Sequence, residues 1–562
     1  MASISFLNLD QNFSILDNSV IAFSAIDGVN GGFQYSYVST GGDDWEFGGS
    51  GITNSGGAPT GGTVNTIQLD LDNDGGSAEF SITGLSVAAT SFGVNSGTAD
   101  QQRDAFWRAA LSGADTFDFS MASYSLNVEF AGDGANISSG SLVGGDDTLN
   151  GGAQALGSAS LITGDYFDIS GGTATGGDDL LTVGALSVYG DFRDIGVGAT
   201  GNGGNDTLTP LKLGANVPSI AAFVGDAFQV SGTLNGGDDL IDLRSTDTTG
   251  FTKRTRLVGD VFVTIAGSTV IGGDDTIHGS NGGDDIFGDV FSTDGGEIGG
   301  NDELHGYGGL DLIEGGGGDD FIRGGGGADT LDGGPGVDIL SYQGSPAGVS
   351  VNLSTGAVSG GDAAGDVISG FEHVYGSTKN DTITGTDADA NDLRGSVGND
   401  SLTGLGGNDT LDGGAGDDTL IGGNNPDILV GGAGADVING GSSVDKADYT
   451  KAPVGVNVNL GTGGISGDAA GDTYTSIEIL SGSNYNDTLT GSASGDDIRG
   501  RGGSDIISGG DGNDKLLGYS GNDTITGGAG NDTLTGGGHN DRFVFSGAFG
   551  NDTIADMNAG AL

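Results

Sequence analysis

Residues 404–441 read GLGGNDTLDGGAGDDTLIGGNNPDILVGGAGADVINGG, and the repeat in this segment is the strongest indication of the fold. Aspartates recur in it every nine residues, at Asp409, Asp418, Asp427 and Asp436. An aliphatic residue follows each aspartate two positions later, and glycines fill most of the positions before it. The repeating unit is therefore G-G-x-G-x-D-x-U-x, where U is apolar. A period this short predicts a solenoid of stacked turns and short strands.

The nine-residue step continues in three uninterrupted runs between residues 299 and 541. The first run carries Asp302, Asp311, Asp320, Asp329 and Asp338. The second carries Asp400, Asp409, Asp418, Asp427, Asp436 and Asp445. The third carries Asp487, Asp496, Asp505, Asp514, Asp523, Asp532 and Asp541. Because eighteen aspartates keep the nine-residue step within their runs, we predict that these side chains ligate metal ions.

The residue types of the repeat favour calcium. Tight turns use positive φ angles, which glycine adopts without steric cost. Calcium takes six to eight oxygen ligands from carboxylates and backbone carbonyls, and both are abundant in Gly/Asp-rich turns. The apolar residue of each unit lies on one face of a short strand. The pattern therefore predicts an all-β fold, a parallel β-solenoid with several Ca²⁺ ions in its turns.

These repeats resemble the hemolysin-type calcium-binding nonapeptides of the RTX family, which also occur in serralysin proteases and mannuronan epimerases. The resemblance implies a parallel β-roll in which two nonapeptides complete one coil. It then implies that Asp302 lies above Asp320, and that Asp487 lies above Asp505 and Asp523. Each ion would join two stacked turns. The resemblance also implies type I secretion of a chain that folds on binding calcium outside the cell.

The composition narrows the classes of partner. The 562 residues include 77 acidic and 17 basic ones, which gives a formal net charge of −60. This charge repels nucleic acid and anionic lipid, so we expect neither as a partner. The chain has 120 glycines but only 7 prolines and no Gly-X-Y period, which excludes collagen. It has no cysteine, so we expect bound calcium, and not disulfide bonds, to hold the folded chain together.

Targeting signals are sparse. No apolar run approaches the about 20 residues of a transmembrane segment. Residues 1–5 lack the basic and apolar regions of a cleaved signal peptide, and the first basic residue is Arg103. We therefore expect an extracellular protein exported without a cleaved leader, either free or associated with the cell surface.

The segments outside the runs differ in pattern. Residues 1–140 alternate apolar and polar residues as half-buried strands do. One helix is predicted at 100–111, as a cap on the solenoid; alternatively, its aromatic residues form a binding patch. Residues 141–298 alternate Gly-Gly-Asp/Asn-Asp with Gly-Asp, at 11–13 residues in one direction and 14–23 in the other. Because one of the two spacings is nearly constant and the other varies, we predict a degenerate solenoid with loops inserted on one side of each coil.

Two related spacers interrupt the runs. Residues 349–353 and 456–460 alternate as Val-x-Val-x-Leu, and Asp338 and Asp445 lie 107 residues apart, which indicates a duplicated unit. We expect the spacers to continue the sheet as longer rungs. The predicted divisions are 1–140, 141–298, run 1 at 299–342, a spacer at 343–394, run 2 at 395–446, a spacer at 447–481, run 3 at 482–545 and a tail at 546–562.

The sequence contains no catalytic motif. Neither H-E-x-x-H nor G-x-S-x-G occurs, and the four histidines are expected to be outward-facing or unpartnered. We therefore expect no enzymatic activity, and favour an extracellular structural or surface protein such as a surface layer, matrix fibre or adhesin stalk. The alternatives are a secreted enzyme whose active region lies in residues 1–140 or outside this chain, and a polysaccharide- or ice-binding protein. Self-association and contacts with cell-surface polysaccharide remain open.

Overall fold

The computed structural model shows an all-β chain in its described residues, as the sequence predicts. It gives strand backbones within residues 3–175 and describes residues 178–556 with gaps at 183–186, 190–191, 196–198, 210–221, 231–232, 245–253, 265–267, 291–295 and 548. The helix predicted at 100–111 lies outside these residues. Across the described part, no helix has the length and apolar character needed to span a bilayer. The chain divides into two compact units, Met1–Ile322 with Gly334–Gly336 and Arg323–Gly333 with Val337–Leu562.

The first unit opens with an antiparallel meander. Its strands are Ser3–Phe6, Phe23–Ala25, Phe33–Val38, Asp44–Ser55, Ala58–Asp70 and Phe80–Ala88. Ser3–Phe6 pairs antiparallel with Phe80–Ala88 on one side and parallel with Thr116–Phe119 on the other. The meander therefore pairs with the edge of the first solenoid coil, an edge that would otherwise be free for association.

The rest of the first unit is a solenoid with four short parallel strands in each coil. The first column contains Thr116–Phe119, Thr148–Gly151, Leu180–Thr182, Thr207–Leu208, Leu240–Asp242, Thr276–His278 and Glu303–His305. The second contains Glu129–Ala131, Leu161–Thr163, Ser187–Tyr189, Ala222–Val224, Thr255–Val258, Asp284–Phe287 and Leu312–Glu314. The third contains Gly134–Ile137, Tyr166–Ile169, Phe192–Ile195, Ala227–Val230 and Val261–Thr264. The fourth contains Ser141–Val143, Gly172–Thr175, Ala199–Asn202, Thr233–Asn235, Thr269–Ile271 and Gly296–Ile298.

The coil geometry explains the uneven spacing of the glycine motifs. Among the described residues, the Gly-Asp pairs at Gly225, Gly259 and Gly288 form tight corners at the end of the second column. The described Gly-Gly-x-Asp turns connect the fourth column to the first, as between Thr233–Asn235 and Leu240–Asp242. The segments that vary in length all join the first column to the second, so insertions fall on one side of the coil.

The nonapeptide repeats form coils of two strands. The first run contains Glu303–His305, Gly308–Gly309, Leu312–Glu314, Phe321–Arg323, Gly326–Gly327, Thr330–Asp332 and Ile339–Ser341. One face of the second unit continues with His373–Tyr375, Asp392–Val397, Thr410–Ala415, Ile428–Ala433, Lys446–Asp448, Ile479–Ser481, Asp497–Arg499, Lys515–Ser520, Thr533–Gly538 and Thr553–Ile554. The opposite face contains Ser350–Asn352, Val367–Ser369, Thr382–Thr384, Ser401–Leu405, Thr419–Asn424, Val437–Ser442, Thr473–Thr475, Asn457–Asn459, Thr488–Thr490, Ile506–Asp511, Thr524–Ala529 and Arg542–Phe543. Leu411 pairs with Leu429 and Ile507 with Ile525, so residues 18 apart stack, which confirms two nonapeptides per coil.

The spacers are longer rungs of the same sheets, as predicted. Ile339 pairs with His373, and Lys446 with Ile479. Each spacer also makes a short antiparallel excursion, Ala357–Ser359 in the first and Gly463–Ser466 in the second. A 3-10 turn follows each excursion, at Gly361–Ala363 and Gly467–Ala469.

The hydrophobic core is one side chain deep on each face. In the tripeptide strands the middle residue points inward and its neighbours face outward, as the buried Leu411 between half-buried residues shows. Fully buried members of this core include Leu393, Leu402, Leu411, Leu420, Leu429, Leu489, Ile498, Ile507, Leu516, Ile525 and Leu534. So thin a core offsets little of the conformational entropy lost on ordering a glycine-rich chain.

Candidate metal centres

The turns bury the aspartates that the sequence singles out. All of the eighteen predicted ligands except Asp541 are at most 3% exposed. Asp541, at the end of the third run, is half-buried. Buried aspartate is rare in proteins unless it is paired or bound to a metal. The location of these side chains therefore requires a compensating interaction.

Most of these aspartates use one carboxylate oxygen to accept a backbone N–H from the preceding coil, and these bonds form a ladder along the stack. The backbone N–H of Asp400 donates to Oδ1 of Asp418 at 2.7 Å, and that of Asp418 donates to Oδ1 of Asp436 at 2.9 Å. The same 18-residue step links Asp302 to Asp320 at 2.8 Å. It also links Asp487 to Asp505 and Asp505 to Asp523, each at 2.9 Å. The stacking that the family resemblance implied is confirmed in all three runs.

The second carboxylate oxygen faces a confined space that we call the glycine cradle. A cradle is formed by the Cα of the first-position glycine, Oδ2 of the aspartate in the same turn, and the carbonyl oxygen of the first-position glycine one coil later. A Cβ built on Gly413 would lie 2.4 Å from Asp418 Oδ2 and 2.8 Å from the Gly431 carbonyl oxygen. Gly404, Gly422, Gly509 and Gly518 form equivalent cradles.

Glycine therefore serves two purposes in each turn. At the first position it leaves room for the carboxylate and the carbonyl, since any Cβ would occupy the cradle. At the second and fourth positions it permits left-handed backbone, as at Gly414 with φ 101° and Gly416 with φ 138°.

In ten turns of the second and third runs, the carboxylate oxygen that faces the cradle makes no hydrogen bond. Oδ2 is fully buried and without a hydrogen-bond donor in Asp400, Asp409, Asp418, Asp427, Asp436, Asp445, Asp505, Asp514, Asp523 and Asp532. A buried polar atom without a partner costs about 1–3 kcal/mol, and more when it is charged. Ten such atoms in register indicate a site for a ligand that the protein does not itself supply.

The donor chemistry of the cradles fits calcium. The donors are carboxylate and carbonyl oxygens, which hard cations prefer over nitrogen or sulfur ligands. Among the described residues, no three acidic, histidine or cysteine side chains come together as a metal-binding group. Each ion would therefore take carboxylates of the turn aspartates together with backbone carbonyls, a mixed set typical of calcium.

The electrostatics also call for a cation. Burial raises the pKa of Asp400 and Asp505 to about 7, with stacked aspartates of neighbouring coils as a further cause. Burial likewise raises the pKa of Asp418 to about 6. In the third run, ion pairs lie on the strands instead, where the half-buried Asp497 contacts Arg499 and Lys515 at 3.0 Å each. Protons or metal ions must therefore neutralise the turns.

Sequence reasoning missed the residues that continue the ladder through the spacers. Oδ1 of Asp366 accepts the N–H of Asp329, and Oδ1 of Asp472 accepts the N–H of Asp436. The remaining members are Glu372, Asp381, Asn391, Glu478 and Asp552. Asp366, Asp381 and Asp552 lie off the nine-residue step of the runs, and Glu372, Asn391 and Glu478 are not aspartates. The duplication of about 106 residues would nevertheless have found the pairs 366/472 and 372/478.

His278, His305 and His373 have partners within the fold. The expectation of outward-facing histidines is wrong for His305, which is buried and stacks on His278 with ring centroids 5.0 Å apart. The expectation that His373 has no partner is also wrong, because its Nδ1 accepts the backbone N–H of Asp392 at 3.0 Å.

Comparison with known proteins agrees with this geometry. The family model of the RTX calcium-binding nonapeptide repeat matches residues 299–322, 305–340, 368–389, 386–420, 421–447, 481–516 and 517–554. No curated protein matches the chain. The matched segments contain all eighteen aspartates. Residues 299–554 therefore contain RTX calcium-binding nonapeptide repeats.

Proposed function

We propose that this protein is an extracellular, non-enzymatic structural or surface protein whose solenoid folds on binding calcium after export. A surface layer, a matrix fibre and an adhesin-like stalk are the forms such a protein takes. One observation carries the proposal: seventeen turn aspartates are buried, and ten of those in the second and third runs have an oxygen that accepts no hydrogen bond.

The thin core supports the coupling of folding to calcium. Each coil buries about one large apolar side chain per strand while it also buries one carboxylate per turn. Burying a charge costs several kcal/mol unless an opposite charge or ligand compensates. Because the cradles form only in the stacked state, the free energy of binding contributes directly to the free energy of folding.

The same coupling supports an extracellular location. A chain that needs calcium to fold stays unfolded in the calcium-poor cytosol, which suits type I export, and folds where calcium is abundant. Calcium bridging also suits a chain with no cysteine. The proposed partners are calcium ions, further copies of the chain and polysaccharide of the cell surface.

A non-enzymatic role agrees with how the polar residues are used. In the described part of the chain, the buried aspartates serve the ladder and the cradles. The histidines just described hold strands together through ring stacking and backbone hydrogen bonds.

Small-angle X-ray scattering at low and millimolar calcium tests the proposal. In chelator we expect an expanded chain, with a radius of gyration approaching the about 90 Å of an unfolded chain of this length. Millimolar calcium should lower it severalfold, whereas magnesium should not, because magnesium demands a rigid octahedral site. A radius that is independent of calcium would contradict the proposal.

A further inference from the structure

The solenoid that precedes the matched repeats contains a second population of buried carboxylates. Asp239 and Asp275 lie in the Gly-Gly-x-Asp turns, and Asp260 and Asp289 lie in the Gly-Asp corners. All four are at most 2% exposed. No uninterrupted run of nonapeptides connects them, and the family model begins only at residue 299.

The turn aspartates face glycine cradles built from different parts of the chain. A Cβ on Gly225 would lie 1.7 Å from Asp239 Oδ2 and 2.0 Å from the Gly259 carbonyl oxygen. A Cβ on Gly259 would lie 1.7 Å from Asp275 Oδ2 and 1.9 Å from the Gly288 carbonyl oxygen. The same three groups define the cradles of the nonapeptides.

A third cradle follows at the junction with the first run. A Cβ on Gly288 would lie 1.9 Å from Asp302 Oδ2 and 2.2 Å from the Gly315 carbonyl oxygen. In the nonapeptides the aspartate follows its glycine by five residues, as Asp418 follows Gly413, whereas here the separation is 14 or 16 residues. Different sequence spacing thus produces the same arrangement, which a search for the nonapeptide pattern cannot detect.

The oxygens that face these cradles accept no hydrogen bond. Oδ1 of Asp239 accepts the N–H of Asp206, and Oδ1 of Asp275 accepts the N–H of Asp239, both at 2.7 Å. Oδ2 of Asp239, of Asp275 and of Asp302 is fully buried and has no donor. These carboxylates therefore have one oxygen held by the backbone and one oxygen directed at the cradle, as in the nonapeptides.

The corner aspartates add negative charge beside the cradles. A Cβ on Gly272 would lie 2.2 Å from Asp289 Oδ1 and 2.6 Å from Asp260 Oδ2, so two carboxylates of successive coils face one small volume. Asp260 Oδ2 also has no hydrogen-bond donor. The nearby arginine Arg254 instead contacts Asp285, at 2.8 Å. Unlike the nonapeptide turns, this part of the solenoid brings carboxylates together from two different corners of the coil.

We infer that residues 225–315 hold a column of calcium-sized divalent-cation sites that begins upstream of the nonapeptide repeats, at the cradles of Gly225 with Asp239 and Gly259 with Asp275, and joins the first run at the cradle of Gly288 with Asp302. Each ion joins two successive coils, because the carbonyl donor comes from the coil after the glycine. Asp260 and Asp289 increase the attraction for a divalent ion. The calcium requirement for folding thus extends into the degenerate solenoid.

Counting the calcium ions bound by the full-length chain tests this inference. Asp239→Asn with Asp275→Asn keeps the Oδ1 acceptors but replaces each cradle oxygen with an amide N–H₂. We expect equilibrium dialysis with elemental analysis to show the loss of one ion per substituted cradle. The matched control, Asp238→Asn with Asp274→Asn, removes the same charge at the exposed neighbouring positions and should leave the count unchanged.

An unchanged count in the folded cradle variant would overturn the inference, and so would an equal loss in the control. If the cradle variant does not fold, anomalous scattering from crystals of the calcium-loaded wild-type chain decides the question. Peaks at the three cradles are expected. Peaks confined to residues 395–541 would overturn this inference and leave calcium binding by the nonapeptides intact.

Discussion

Replacing the first-position glycine of one nonapeptide turn tests the cradle geometry most sharply. In Gly413→Ala, the new methyl group would lie 2.4 Å from Asp418 Oδ2 and 2.8 Å from the Gly431 carbonyl oxygen. Carbon contacts need about 3.5 Å, so the carboxylate must withdraw by about 1 Å. Metal–ligand distances tolerate only about 0.2 Å, so we expect the cradle to lose its ion.

The expected effect is a change in calcium dependence and not only in stability. Each ion that binds the folded state alone adds about 1.4 kcal/mol to the free energy of unfolding for every tenfold rise in free calcium near saturation. Urea denaturation at several calcium concentrations should therefore give Gly413→Ala a slope lower by about 1.4 kcal/mol per decade.

The matched control is Gly502→Ala. Gly502 lies in an equivalent turn, also without a positive φ, and its Cβ would meet no atom closer than 3.5 Å. The control should keep the wild-type slope, and its stability should change by at most about 1 kcal/mol. Equal slopes in Gly413→Ala and wild type would refute the reasoning, because a purely steric clash lowers stability without changing the number of ions bound.

Three further predictions concern protons, the spacers and the core. Because burial raises the pKa of Asp400 to about 7 from an unfolded value near 3.9, the calcium-free folded state binds more protons than the unfolded state. Its stability should therefore fall as the pH rises from about 4 to 7, which circular dichroism in metal-free buffer would show; a gain of structure with rising pH would count against this account. Tyr449→Phe removes the hydroxyl that donates to Asp472 Oδ2 at 2.5 Å, so urea denaturation should show a free energy of unfolding lower by about 1–3 kcal/mol. The control Tyr485→Phe, at an exposed position, should leave the free energy of unfolding unchanged. Leu411→Ala should cost about 2–5 kcal/mol in saturating calcium, since Leu411 is fully buried; a cost below about 1 kcal/mol would mean that the core contributes little.

The strict phase of the sequence determined most of what could be predicted about the repeats. The nine-residue spacing gives the inward-facing residue and the turn aspartate the same position in every unit. With two units in each coil, this predicts that Asp487 stacks on Asp505, 18 residues later. The alternation in residues 349–353 likewise predicted the strand Ser350–Asn352.

Other features depend on contacts between coils and were not visible in the chain. The four-strand coil of the degenerate solenoid was hidden because the segments between its first and second columns vary in length. The role of first-position glycine also escaped prediction. Positive φ explains Gly414, whereas Gly413 is needed for the space that the Asp418 carboxylate occupies. Glu372 and Glu478 replace aspartate in the ladder with a longer side chain, which the aspartate pattern cannot reveal.

A calcium titration of the purified full-length chain, followed by far-UV circular dichroism, tests the central claim most directly. We predict a cooperative gain of β signal as calcium approaches millimolar concentration, reversed by chelator and absent with magnesium at the same concentration. A chain that already shows its full β signal after exhaustive chelation at neutral pH would contradict the claim that cations in the glycine cradles hold the coils together.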